Sequence, residues 1–554
     1  MVFNLVVVFS IFLSGIAASD AGPIVSLPYG SFQGFNSGNL TKYLGVPFAQ
    51  AYVSGRFELP SAPGLFDGVQ NATEFGPTCP QQALSVLPVA IPFDANTHLS
   101  ISENCLSLNV FKPIASNASS KLPVFVWLFG GGFEVGDSNQ VDVSPLAERS
   151  IERGEPVIIV TPNYRLSAFG FLAGEKVASA GVTNLALRDQ IFALQWVQQH
   201  IAAFGGDPDP VVLGGVSAGA ISTALLLLSN KQNSNTLFHG AFMATGSPFT
   251  TPSVTDGQSD YDGLVAANNC TLSEGTLNCL RKVPLDAFWA TVYNTANFFS
   301  YRSVSFVWGP RVDGDVIVNN PLVSVSRGLY SKVPFLTGDC DDEGNIFSVA
   351  PYNVTTSQEF LDYVHTYLLP GASVDQLAQV GRIYPDDTTQ GSPFGTGTAD
   401  QLTPEFKCLA AFQGDFLFMG PRRGILQLRQ TRTQTHTWSW CIKRGKNSSV
   451  FGAFHASDIV IWFLNTTDTT GADALNETWI AIKYINTLDP NRAAGTSTAN
   501  SSIFWPKWNT PSSTGPTSLL TFSEPEVVNI TTEDFRVDAI QYLNNLLSDE
   551  ALAK

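Results

Sequence analysis

Apolar runs and polar breaks alternate along most of this chain. Short runs with strand character lie at 122–129, 156–160, 211–213, 240–244, 333–337 and 435–441. Between several of them lie stretches with helical spacing. In 189–203 the apolar positions are Ile191, Leu194, Trp196, Val197 and Ile201. In 535–547 they are Phe535, Ala539, Ile540, Leu543, Leu546 and Leu547, again at the intervals of a helix face. Strands alternating with helices predict a mainly parallel sheet covered on both faces. The chain shows no internal repeat, heptad run or linker, so residues 22–554 are expected to form one large α/β domain with insertions. Segment 371–403, rich in Gly, Thr and Pro, reads as a polar surface segment.

Residues 1–21 read differently. Val6 to Leu13 is a short apolar core, followed by the small residues Gly15, Ala17, Ala18 and Ser19. That is the pattern of a secretory signal, and the run is too short to span a bilayer. No later apolar run is long enough for a transmembrane segment, and the C-terminus lacks the tail of a lipid-anchor signal. The expected location is therefore extracellular.

An extracellular destination changes how the composition reads. Hydrophobic residues make up 44% of the 554 and charged residues only 14%, against roughly 25% in an ordinary soluble protein. N-glycans would supply part of the missing hydration. N-x-S/T sequons stand at Asn39, Asn71, Asn117, Asn269, Asn353, Asn447, Asn465, Asn476, Asn500 and Asn529. The net charge of −17 repels phosphate backbones and argues against a nucleic-acid partner. Seven cysteines suit an oxidising compartment, and their odd number leaves at least one without a partner in the chain.

The chemistry concentrates in two glycine-rich places. Val211-Val212-Leu213 runs into Gly215-Val216-Ser217-Ala218-Gly219 and then the apolar stretch from Ile221 to Leu228. A strand that ends in G-x-S-x-G and turns at once into a helix presents the serine hydroxyl at the head of that helix, in reach of a base. Upstream, Trp127-Leu128-Phe129-Gly130-Gly131-Gly132-Phe133 follows another strand-like run. Bare backbone N–H groups there suit a developing oxyanion. No clustered His/Cys pattern suggests a metal, and this chemistry needs no cofactor. Carboxylate candidates for orienting a base follow the run at 333–337: Asp339, Asp341, Asp342 and Glu343. Periodicity does not choose among them.

The stretch from Phe204 to Gly219 resembles the type-B carboxylesterase/lipase family, which includes cholinesterases and secreted fungal lipases. Val216 departs from the glutamate often found before that family's serine. Tyr43 to Ala49, Gly55-Arg56-Phe57 and Glu103 to Val110 are similar to other family elements, with Asn104 and Ser107 departing from the usual residues. The resemblance implies an α/β-hydrolase fold with insertions, and serine esterase chemistry with Ser217 as nucleophile. It implies Gly131, Gly132 and Ala218 as oxyanion donors. Asp342-Glu343-Gly344 matches the family's D-E-G, which assigns Glu343 as the acid. The fold's chain order of nucleophile, acid and base leaves out His98, His200 and His239. His365 falls in a helical stretch and His436 in a strand-like run. His455, in Phe451 to Asp458, looks like the family's histidine. The resemblance also implies the disulfides Cys79–Cys105 and Cys270–Cys279, leaving Cys340, Cys408 and Cys441. It implies structural roles for Asn163-Tyr164-Arg165 and for Asn184 to Gln190, with Arg165 and Asp189 as ion-pair members.

The segment between Cys79 and Cys105 bears on substrate. It carries Leu84, Val86, Leu87, Pro88, Val89, Ile91, Pro92 and Phe93, with only Asp94 and Glu103 charged. In the resembled lipases such a loop is a lid, and an apolar one fits a lipid–water interface. Its lack of tryptophan argues against a quaternary-ammonium substrate. Phe133, Phe298, Phe299 and Phe306 are candidate wall residues. Lipase-like hydrolysis of long-chain acyl or sterol esters is the first expectation, and a general carboxylesterase or feruloyl esterase the second. A non-catalytic adhesion or binding protein on the same fold is the rival of another class.

Overall fold

The computed structural model describes residues 22–50, 56–82, 84, 100–229, 237–430, 436–446, 449–463, 472–492, 503–508, 517–524 and 527–548. The signal-like residues 1–21 and positions 85–99 of the apolar loop lie outside the described residues, so the expectations placed on them stay with the sequence.

An eleven-stranded sheet forms the centre. Its spatial order is Val527–Thr532, Ser518–Ser523, Thr437–Ile442, Phe335–Cys340, Gly240–Ala244, Gly206–Val216, Leu122–Leu128, Ile158–Pro162, Ser107–Pro113, Leu40–Pro47 and Phe35–Ser37. From Ser518–Ser523 to Ile158–Pro162 every pairing is parallel. Antiparallel strands close both flanks. The expected mainly parallel α/β-hydrolase sheet is therefore present, with mixed edges. A small sheet of Ile24–Leu27, Gly30–Gln33 and Val69–Asn71 sits beside it.

Period-two alternation splits the parallel strands between two cores. Val124, Val126 and Leu128 face one hydrophobic core, and Phe125 and Trp127 face the other. Ala241 and Met243 oppose Phe242 and Ala244 in the same way. Helices Leu185–His200 and Ala218–Leu228 bury their apolar residues on the first side. Helix Ala472–Thr487 covers the second with Trp479, Ile482, Tyr484 and Ile485. Each fully buried residue of this size contributes about 1.5–3 kcal/mol relative to exposure.

Within segment 371–403, Val374–Ile383 is a helix, started by a capping box between Ser373 and Gln376. Asp339, Asp341 and Asp342 are buried, and arginines and lysines from later in the chain pair with them. Cys79–Cys105 and Cys270–Cys279 are joined as disulfides, and Cys340, Cys408 and Cys441 are free and buried. Arg165 and Asp189 form a buried ion pair at 2.6 Å.

Candidate active site

The parallel strands deliver the candidate residues to one end of the sheet. Leu122–Leu128 runs into the glycine loop, Gly206–Val216 into Ser217, and Phe335–Cys340 into the acid turn. The loop after Thr437–Ile442 brings His455. Ligand sites of parallel α/β sheets form beyond such carboxyl ends.

Ser217 occupies a tight elbow. Its φ is +53° and ψ is −122°, a backbone position that non-glycine residues rarely hold. Ser217 N–H donates to Ala244 O at 2.9 Å, and Ser217 O accepts from Ile221 N–H at 2.8 Å. The flanking positions must lack a Cβ. One at Gly215 would lie 2.4 Å from the carbonyl carbon of Gly219, and one at Gly219 would lie 2.1 Å from Leu128 O.

The glycine loop faces this elbow. Gly131 and Gly132 have φ of +112° and +62°. A Cβ at Gly131 would lie 2.1 Å from Val135 O, and one at Gly132 would lie 2.5 Å from the Phe298 ring. Gly131 O accepts from the N–H groups of Glu134 and Val135 at 3.0 Å, which closes the loop on itself. Tyr164 braces it by donating to Phe129 O at 2.7 Å and stacking on the Phe129 ring. Ala218 opens its helix, so its N–H has no intrahelical acceptor.

His455 and Glu343 meet from neighbouring loops. Nδ1 of His455 lies 2.5 Å from Oε2 of Glu343. The other oxygen of Glu343 accepts Cys340 N–H at 2.6 Å. A carboxylate only accepts, so the ring proton sits on Nδ1 and Nε2 keeps its lone pair. Nε2 is buried and has no hydrogen-bond partner among the described residues. Burial pulls the imidazole down to about 4, partly opposed by Asp458 and Asp339. Burial and the nearby Asp339 push the Glu343 carboxyl up. The resting ring is therefore neutral at ordinary pH.

Ser217, His455, Gly131, Gly132 and Ala218 line one cavity of about 240 Å³. Glu343 stands behind the histidine, outside the lining. Of the expected wall residues, Phe298, Phe299 and Phe306 line the cavity, as do Phe347, Phe418 and Phe454. Phe133 does not: it is fully buried behind the loop, against Phe171 and Phe306. Sequence reasoning missed Phe347 and Phe418, whose rings flank His455 at 5.1 and 4.6 Å between centroids. It also missed Asp458, which is fully buried and raised by burial and by Glu343 to about 7. His365 is exposed, and His436 is exposed just before the strand Thr437–Ile442, so neither joins the site. Among the described residues no cluster of His, Cys, Asp or Glu could hold a metal ion, and no helix is long and apolar enough to cross a membrane.

The profile of the carboxylesterase family matches residues 21–536. Secreted lipase 1 of Botryotinia fuckeliana is 36% identical, over 88% of this chain and 88% of its own. Lipase 5 of Diutina rugosa is 35% identical, over 91% of this chain and 92% of its own. Among solved structures, that of EstA from Aspergillus niger superposes with a TM-score of 0.81 at 25% identity, covering 95% of this chain and 98% of that one.

Proposed function

This chain belongs to the carboxylesterase family, and from that premise we propose a secreted serine hydrolase of apolar carboxylic esters, acting as one domain over residues 22–554. It is a carboxylic ester hydrolase of the lipase kind, and the proposal concerns which residues act and on what. One observation carries it. The strained Ser217 and the His455 ring, held by Glu343, open on the same phenylalanine-lined cavity.

The steps follow from the groups present. Ser217 Oγ attacks the ester carbonyl carbon while its proton passes to His455 Nε2. The carbonyl oxygen becomes an oxyanion held by the N–H groups of Gly131, Gly132 and Ala218. Collapse breaks the bond to the alcohol oxygen, which leaves with the proton from His455. Water then attacks the acyl-serine, gives its proton to His455, and frees the acid as Ser217 recovers that proton. Glu343 holds the tautomer and stabilises the transient imidazolium.

The walls favour greasy acyl groups. Phe306 and Leu417 line both the catalytic cavity and a further one of about 80 Å³, which also touches Phe249, Tyr367 and Phe416. We read the first cavity as the acyl site and those two residues as its far wall. Long-chain acyl or sterol esters at a lipid–water interface fit this reading and the apolar residues between Cys79 and Cys105.

The test compares wild type with Ser217→Ala on a soluble short-chain ester, an emulsified long-chain ester, a sterol ester and a hydroxycinnamate ester. Wild type should hydrolyse the emulsified ester with a steep rise once an interface forms, and a serine-directed phosphonate should label it. The alanine variant should do neither while remaining folded. Preference for the hydroxycinnamate ester with no interfacial step would replace lipase with aryl-ester hydrolase. Equal labelling of both proteins would remove Ser217 as nucleophile.

A further inference from the structure

Glu343 is not the only carboxylate of its turn that reaches the histidine loop. The neighbouring Asp342 is fully buried, and its oxygens gather donors from three other segments. Ala453 N–H reaches Oδ2 at 2.8 Å. Phe394 N–H and the Ser392 hydroxyl reach Oδ1 at 2.8 and 3.2 Å. Lys446 Nζ spans both oxygens at 2.7 and 2.6 Å. The backbone adds to this grip: Asp342 N–H donates to Ala453 O at 3.0 Å, and Asp342 bridges to Phe454 in parallel register. Gly452 leaves the space, since a Cβ there would lie 2.4 Å from Asp342 Oδ2.

A buried carboxylate is costly unless its lone pairs are filled and its charge is matched. Here both conditions are met by groups whose positions matter. The Ala453 contact falls two residues before His455. The turn that makes it also supplies Glu343, one residue on. Thus one short turn holds the histidine twice, by the ring through Glu343 and by the backbone through Asp342. Without the second hold the loop is free to shift along the first. A displacement of about 1 Å in a reacting group costs on the order of 100-fold in rate.

We propose that Asp342 is a positioning residue for ester hydrolysis, fixing the register of the His455 loop over Ser217 while Glu343 orients the ring. The inference rests on the roles given above to Ser217 and His455.

Asp342→Asn tests it on a soluble short-chain ester, with circular dichroism and thermal unfolding recorded on the same preparation. Asparagine keeps the shape, but its NH₂ replaces an oxygen that accepts from a backbone N–H, of Ala453 or Phe394, and from the Lys446 ammonium, groups that only donate, so at least one hold is lost. The expected result is a fall of about 100-fold in kcat with KM unchanged, and a matching fall in the rate of phosphonate labelling. Should Asp342→Asn fail to fold, Lys446→Met decides. Its side chain is 16% exposed, and its loss leaves the Ala453 and Phe394 bonds in place while unpairing the charge of Asp342 and that of Asp341, which Lys446 also meets at 2.8 Å. About a tenfold fall in kcat at constant KM is expected there. Wild-type kcat and labelling in the folded variant, or a raised KM with kcat unchanged, overturns the proposal. Ser217→Ala is run alongside. If it keeps activity, the nucleophile assignment has failed; if it is inactive while Asp342→Asn is fully active, only the tether has failed.

Discussion

His455 Nδ1 and Glu343 Oε2 stand 2.5 Å apart, although 112 positions separate them in the chain. Strands Phe335–Cys340 and Thr437–Ile442 pair in parallel and so bring their following loops together. The acid and the base are thus neighbours because their strands are.

Glu343→Gln should separate orientation from binding. Cys340 N–H at 2.6 Å will keep the amide oxygen where Oε1 now sits. The NH₂ then faces the ring and forces Nδ1 to accept, which moves the ring proton to Nε2 and removes the base. A loss of about 10⁴-fold in kcat is expected with KM little changed. Steady-state kinetics on a soluble ester measures it. If Asp341→Asn matches that loss and Glu343→Gln does not, the wrong carboxylate has been assigned.

Part of this site is legible in the sequence as motif, because glycines flank Ser217 and run together at 130–132. For Gly215 and Gly131 the demand is local, since a Cβ would meet Gly219 or Val135 four residues on; for Gly219 and Gly132 the obstacles are Leu128 O and the Phe298 ring, far along the chain. The acid is not legible that way. Four carboxylates crowd 339–343, and partners far along the chain sort them. Arg422 takes Asp339, and Lys446 takes Asp341 and Asp342. Only Glu343 meets the imidazole, and motif resemblance alone anticipated it. Phe347 and Phe418 carried no signal, being two among 39 phenylalanines. Helix Val374–Ile383 did carry one, the S-x-x-Q start at Ser373, but its polar face hid it.

The pH profile should reflect the buried ring. In the unfolded chain a histidine titrates near about 6.5, whereas burial brings His455 to about 4. Asp458 and Asp339 oppose that shift only in part, and Glu343 meets the ring at Nδ1. Hydrolysis should therefore persist as pH falls below about 6.5 and be lost near about 4. Stability has the same sign. The unfolded state binds the proton first, so the stability this neutral ring contributes is whole above about 6.5 and declines as pH falls toward 4. A profile of kcat/KM on a soluble ester, with unfolding temperature at each pH, checks both. An acid limb near 6.5 would mean a hydrated ring.

Phe306→Ala should lengthen the preferred acyl chain. The ring lies between the catalytic cavity and its smaller neighbour, and its edge contacts with Phe133 and Phe249 hold it there. Removing it joins the two spaces. The ratio of kcat/KM for long over short acyl esters should rise about tenfold, the scale of a few methylene contacts. Equal losses on every chain length would show that the ring only supports the fold.

Glycans are expected at Asn39, Asn71, Asn117, Asn269, Asn353 and Asn529, which are all exposed. At Asn71 the side-chain oxygen accepts from Thr73 N–H and hydroxyl, and at Asn117 from Ser119 N–H and hydroxyl. The sequon hydroxyl thus already meets the asparagine, leaving the amide nitrogen to face outward. Enzymatic glycan release in heavy-oxygen water, followed by peptide mapping of secreted protein, should mark these asparagines as aspartate. Unmodified peptides at Asn71 and Asn117 would contradict the expectation.

Gly132→Ala bears on the oxyanion donors. Two costs fall on this substitution. The new methyl would lie 2.5 Å from the Phe298 ring, and the residue must keep φ near +62°. Phe298 cannot simply retreat, because its N–H is held at 2.9 Å by the buried Glu134 carboxyl. The loop should give instead, carrying the Gly132 N–H off the oxyanion. Losing one such donor costs about 10²–10³-fold in kcat. Adding Phe298→Ala removes the clash but leaves the backbone strain, about 1–2 kcal/mol for a left-handed non-glycine residue. The double variant should therefore recover part of the lost kcat and not all of it. Full recovery would mean that the ring alone matters. No loss in the single variant would mean that Gly132 N–H does not serve the oxyanion.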